Sequence, residues 1–167
     1  DNLRQSYTVK KINNKNFKFF TPSKASKYRV ETILKKEPDT IKFINNFSKK
    51  KGGIFFDIGA NVGLYSVYAA CINPKLKVFS FEPSGLNLGI LNRNISVNNL
   101  NKRVYVAPIA LRKKNIKFSL LSETFLYEGG SQVSIDKPIN DYGRKFKAAT
   151  SYNTISVSLN YLVDKKI

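Results

Sequence analysis

The stretch FFDIGANVGLYS, residues 55–66, constrains this chain more than any other. An apolar run ends in a single carboxylate, Asp57. Two glycines, Gly59 and Gly63, bracket a short turn, and an apolar segment resumes at Leu64. A short apolar run flanked by glycines suits a strand buried on both faces, as in a parallel sheet. After it, Leu64, Val67, Tyr68 and Cys71 recur at helical spacing across 61–72, with Ser66 the one polar residue in the body of that segment. The pattern then repeats. KVFSFEP (77–83) predicts a second strand ending in Glu82, Ser84 is placed to cap a helix over 85–98, and RVYVAPIAL (103–111) predicts a third strand. Alternating strands and helices predict βαβ crossovers and a parallel sheet.

Ahead of this unit, residues 1–20 alternate loosely and predict a hairpin turning near NNKN (13–16). TPSKASK (21–27) reads as a loop, 27–36 as a short helix burying Val30, Ile33 and Leu34, and 39–47 as a helix opened by Pro38. Lys49, Lys50 and Lys51 complement its C-terminal end, and Gly52-Gly53 stops it. Beyond residue 111, NIKFSLL (115–121) and TISVSL (154–159) read as strands, with a polar, irregular span between them. The expected organisation is an N-terminal extension over 1–50 and a Rossmann-like unit over 51–167.

The composition excludes several chemistries. The chain has no His, which removes Ser-His-Asp and Cys-His machinery and the commonest zinc ligand. Its one cysteine, Cys71, precludes an internal disulfide and reads as a small core residue. Asp and Glu show no metal-ligand spacing, so no metal is expected. No apolar run approaches a membrane span, and no signal-peptide pattern opens the chain. With the lone cysteine, this leads us to expect a cytoplasmic location. Net charge is +18, from 29 basic and 11 acidic residues. That surplus reads either as compositional drift toward Lys or as attraction to a polyanion such as RNA.

In doubly wound sheets ligands bind beyond the carboxyl ends of the strands. Asp57 and Glu82 occupy such ends on consecutive strands and are expected to face one crevice. Gly59 and Gly63 let the backbone approach a ligand. A carboxylate ending the second strand can accept two hydrogen bonds from a ribose diol. The turn D-I-G-A-N-V-G lacks the dinucleotide glycine spacing, and a pyrophosphate would meet Asp57 as a like charge. S-adenosylmethionine, with an ammonium, a sulfonium and an adenosine diol, meets no such repulsion.

FFDIGANVGLYSVYAA, VFSFEPSGLNLGILNRNISVNN and VYVAPIAL resemble the FkbM-type methyltransferases, a branch of the class I S-adenosylmethionine-dependent fold. KKEPDTIKFINNF (35–47), EGGSQVS and SVSLNYLVD resemble further segments of that family, so the likeness runs from about 27 to 164. It implies an α/β, Rossmann-like parallel sheet flanked by helices. It implies that Asp57, Gly59, Asn61 and Gly63 line the methionine and ribose end, that Glu82 holds the ribose hydroxyls, that Pro83 flanks the adenosine, and that Ala110 approaches the adenine. Asn160 stands where the family carries Asp. The family continues with a strand resembling Lys-Ile-Asp-Val-(Asp/Glu)-Gly, and this chain stops at Ile167 before it, so a sheet incomplete at the C-terminus is expected. The implied reaction is methyl transfer to a hydroxyl of a small molecule or glycan. Two alternatives stand beside it: an RNA methyltransferase of the same fold, and a non-catalytic fragment.

Overall fold

The computed structural model describes residues 6–12, 14–47, 52–130, 132–140 and 142–165. An antiparallel hairpin opens the chain, β1 (Tyr7–Ile12) against β2 (Lys15–Phe20), with Asn14 in the left-handed region at the turn (φ 61°). Phe17 and Phe19 are buried on one face of β2, and Phe20, at its end, is buried on the other.

Helix α1 spans Lys24–Lys36 and begins three residues before the periodicity suggests. The reason is Ser23, whose hydroxyl accepts from the Ser26 amide while Ser26 reaches back to the Ser23 amide. Such reciprocal capping satisfies two otherwise orphaned donors. Val30 and Ile33 are buried as the spacing demands, but Leu34 lies at the edge of that stripe and is exposed. Helix α2 (Pro38–Phe47) buries Ile41 and Ile44 and leaves Phe43 outside. The lysines predicted to follow it lie outside the described residues.

The central sheet is parallel, in the order β3 (Gly53–Ile58), β4 (Leu76–Phe81), β5 (Val104–Ala107). Helix α3 (Leu64–Ile72) joins β3 to β4, and α4 (Gly85–Val97) joins β4 to β5. This is the α/β, Rossmann-like arrangement. In the β3–β4 register, Asp57 stands beside Ser80 and Ile58 beside Phe81. The face bearing Phe55, Asp57, Val78 and Ser80 is covered, α3 packing against it. The opposite face corrects the expectation of a strand buried on both sides. Ile54, Phe56 and Ile58 are exposed, and the Phe56, Phe79 and Tyr105 rings run across the three strands at centroid spacings of 5.8 and 5.0 Å. Apolar content alone cannot tell a strand covered twice from one covered once.

The third predicted strand, 103–111, is two strands. Pro108 has no amide to donate, the Ile109 amide turns back onto the Ala107 carbonyl, and the chain leaves the sheet. Resuming as β6 (Ala110–Arg112), it enters a second sheet of order β6-β9-β7-β8. There β9 (Thr150–Ser158) runs parallel to β6 and antiparallel to β7 (Ile116–Glu123), and β7 also pairs with β8 (Val133–Ile135). Leu159, predicted to end the strand over 154–159, instead opens helix α5 (Leu159–Asp164). The Ser158 hydroxyl caps it by accepting from the Tyr161 amide.

The hairpin is bound to the central unit by buried polar bonds as well as by packing. Asn94 on α4, fully buried, accepts from the Phe20 amide at 2.6 Å and donates to the Val62 carbonyl at 2.7 Å. One side chain thus joins β2 to the turn that follows β3. No described helix is long and apolar enough to cross a membrane.

Candidate functional site

Asp57 is the penultimate residue of β3 and points to the covered face, where α3 buries it to 8% exposure. A carboxylate in that position needs a donor. Ser66, one turn into α3, supplies it: its hydroxyl donates to Asp57 Oδ2 at 2.5 Å and stands 2.7 Å from the Ser80 hydroxyl on β4. Burial pushes the Asp57 carboxyl above the usual carboxylate range, and the Ser66 bonds oppose that shift. The single polar residue of α3 is therefore the partner of the strand-end acid.

The turn after β3 runs through three left-handed residues, Gly59 (φ 71°), Asn61 (φ 51°) and Gly63 (φ 81°). The Gly59 and Ala60 amides both donate to the Phe81 carbonyl at the end of β4, at 2.9 and 3.0 Å. The Asn61 amide donates to Glu82 Oε2 at 2.7 Å. A Cβ on Gly59 would meet nothing within 4 Å, so this backbone is open for close approach. Gly63 differs. A Cβ there would lie 2.4 Å from Leu91 Cδ1, so this glycine admits α4 rather than a ligand.

Glu82 follows β4 directly and is 3% exposed. Oε1 accepts from the Ser84 amide (2.9 Å) and more distantly from Asn87 Nδ2 (3.4 Å). Burial raises the carboxyl above its ordinary value. The Ser84, Asn61 and Asn87 donors pull it back, and nearby Glu123 adds to the rise.

A cleft of about 760 Å³ opens at these strand ends. Asp57, Gly59, Asn61, Glu82, Pro83 and Ala110 all line it, Ala110 from the start of β6. Gly63 does not border it. The opposite wall comes from the N-terminal helices and α3, with Arg29, Glu37, Phe43 and Tyr65. Tyr65 is hydrogen-bonded to Glu37, and burial first, then Glu37, pushes its hydroxyl up to about 12.

The loop at Gly129 and Gly130, part of the polar span after β7, is tied to the site by three hydrogen bonds. The Gly129 amide donates to Asn87 Oδ1 at 2.9 Å, Arg29 Nε donates to the Gly129 carbonyl at 2.5 Å, and Asn61 Nδ2 donates to the Gly130 carbonyl at 2.5 Å. Gly129 is buried against the start of α1. Residues Arg29, Ser66 and Asn87 belong to the site and carry no motif. Ser66 is legible only as a polar break in an apolar helix, and Asn87 as one face of α4 shared with Asn94. Among the described residues, no three His, Cys, Asp or Glu side chains group to hold a metal ion.

No family model matches the chain. A stretch of 42 residues, 25% of the chain, is 40% identical to Methyltransferase sdnD of Sordaria araneosa and spans 16% of that protein's length. Among solved structures, the SAM Dependent Methyltransferase from Agrobacterium tumefaciens aligns with 63% of this chain and 38% of its own, at 13% identity and a TM-score of 0.46. P. horikoshii TYW2 in complex with MeSAdo aligns with 62% of this chain and 36% of its own, at 19% identity and a TM-score of 0.40. The chain thus covers well under two thirds of each of these proteins. Its own geometry defines a Rossmann-like α/β unit with one acidic, glycine-lined cleft at the strand ends.

Proposed function

We propose that this chain is the cofactor-binding part of an S-adenosylmethionine-dependent O-methyltransferase acting on a hydroxyl of a sugar or related cell-surface or secondary-metabolite acceptor. One observation carries the reading: two adjacent parallel strands end at buried carboxylates, Asp57 and Glu82, on either side of a left-handed backbone turn in a single cleft. The 42-residue likeness to a methyltransferase agrees with it.

The residues present fit that cofactor. A carboxylate offers about four lone-pair positions. Glu82 uses two at Oε1 and one at Oε2, so one ribose hydroxyl can join at Oε2 and a second can replace the long Asn87 contact. Asp57, at the strand end, favours a cationic group over a phosphate. When bound, the cofactor supplies a methyl group activated on a sulfonium. The chain's own contribution is positioning, which lowers the barrier by fixing the reacting groups in line. Tyr65, held near 12 and bonded to Glu37, is poorly matched to act as a base near neutrality.

A second reading, RNA methylation by the same fold, is favoured by the net charge of +18 together with the presence of only two ion pairs among the described residues. Unneutralised lysines attract phosphate, and such binding weakens steeply with salt.

Calorimetric titration with S-adenosylhomocysteine tests the cofactor assignment. Saturable binding is expected. Glu82→Gln should weaken it about 10- to 100-fold, since a hydrogen bond to a charged group contributes about 1.5–3 kcal/mol. A folded chain that binds nothing, or a variant that binds equally well, refutes the assignment.

A further inference from the structure

The second sheet is reversed in polarity. In the β7–β9 register Ile116 stands opposite Val157, Phe118 opposite Ile155 and Leu120 opposite Asn153, so these side chains share one face. Ile116, Phe118, Leu120, Asn153 and Ile155 are exposed there, Phe118 to 75%, and only Val157 is covered. The intervening residues point the other way. Beside Leu121 they place Ser119 and Ser156, buried with their hydroxyls 2.7 Å apart, and the buried carboxyl of Glu123. Hydroxyls and a carboxyl are thus inside, while a phenyl ring and three aliphatic side chains are outside. A sheet covered on one side ordinarily does the opposite. A contiguous apolar patch of this kind marks an interaction surface.

Charge at the rim selects the occupant. The turn from β6 into β7 carries Lys113 and Lys114, both exposed and next to Ile116. Arg112 and Lys117 flank them and act on one acid, Asp136, which Lys117 Nζ meets at 2.7 Å. The sequence has no Asp or Glu over 110–122 or 149–163, and exposed Asp164 is followed by Lys165. A second copy of the chain would bring a like charge of +18 against this rim. A nucleic acid would match the charge, but it uses aromatic rings as stacking platforms, and this face carries one ring among aliphatic side chains. An anionic bilayer matches both features: its headgroup–acyl boundary takes up phenyl and aliphatic groups, and its phosphates attract lysine.

We propose that the face of β7 and β9 bearing Phe118 is a docking surface for an anionic lipid bilayer. Ile116, Phe118, Leu120 and Ile155 enter the headgroup–acyl boundary, and Lys113 and Lys114 lie among the phosphates. The surface is separate from the strand-end cleft, none of these six residues lining it, so the proposal stands or falls independently of the cofactor reading.

The test is co-sedimentation of the chain with vesicles of phosphatidylcholine alone and of an equal mixture of phosphatidylcholine and phosphatidylglycerol. Binding to the mixed vesicles and little to the neutral ones is expected. Phe118→Ser should weaken it about tenfold or more, the loss expected when a buried phenyl group is removed. Lys113→Glu with Lys114→Glu should also weaken it about tenfold or more. These positions are exposed, so the fold should survive, as an unchanged unfolding midpoint would show. The control Lys35→Glu with Lys42→Glu changes net charge equally on α1 and α2 and should have a much smaller effect. Absence of binding by the wild type overturns the proposal, as does a control that loses as much as the Lys113 and Lys114 variant. If Phe118→Ser binds as well as the wild type, the attraction is to phosphate charge alone, as an RNA would supply, and no bilayer surface exists here. Self-association abolished by Phe118→Ser, without vesicle binding, would assign the face to a second copy and refute the proposal.

Discussion

Gly63→Ala places a methyl group where the structure has no room for it, and its cost can be worked out against a control a few residues away. Gly63 and Gly59 share the left-handed region, at φ 81° and 71°. An alanine in that region costs about 1–2 kcal/mol from backbone sterics alone. At Gly59 nothing further is added, because no atom lies within 4 Å of the new Cβ. At Gly63 the Cβ falls 2.4 Å from Cδ1 of Leu91, which is fully buried. Overpacking of this kind adds about 1–3 kcal/mol. Gly59→Ala should therefore destabilise by about 1–2 kcal/mol and Gly63→Ala by about 2–5 kcal/mol, a large share of the 5–15 kcal/mol typical of a domain. A double-mutant cycle isolates the clash. In a Leu91→Ala background the next Leu91 atom is the Cα at 3.7 Å, ordinary contact, so Gly63→Ala should there cost no more than Gly59→Ala. Urea unfolding followed by circular dichroism measures all four differences. Additivity of Gly63→Ala and Leu91→Ala within about 0.5 kcal/mol would refute the argument, since neighbours that clash must couple.

Two further predictions concern the acids and the loop. Burial raises the Asp57 carboxyl above 3.8, so the folded state holds a proton that the unfolded state has lost, and stability falls as pH rises from about 3.8 through the raised folded value. Asp57→Asn should flatten that fall and Ser66→Ala should extend it to higher pH, both read from unfolding midpoints across a pH series. An unchanged slope in Asp57→Asn would show that other groups set it. Arg29→Ala removes the guanidinium that holds the Gly129 carbonyl and should speed chymotrypsin cleavage around exposed Leu126 and Tyr127 by about tenfold or more, since local opening governs such cleavage. Equal cleavage rates would mean that Asn61 and Asn87 suffice to hold the loop.

Local features were readable from the chain because they depend on neighbours in sequence. The strand before Asp57, the glycine turn, the strand before Glu82 and the Ser84 cap are all short-range matters of propensity, periodicity and backbone freedom. That is why the two acids could be assigned to one crevice without coordinates: consecutive parallel strands place their ends together. What the sequence could not determine were the long-range choices. Whether Ile54, Phe56 and Ile58 are covered depends on which face the helices take. Whether 103–111 is one strand or two depends on where Pro108 falls relative to a sheet edge. Asn87 and Arg29 are ordinary polar residues in the sequence, and they join the site because a loop about thirty residues beyond α4 folds back onto both. Their roles come from burial, which removes water and leaves each polar group dependent on whatever partner the tertiary fold supplies.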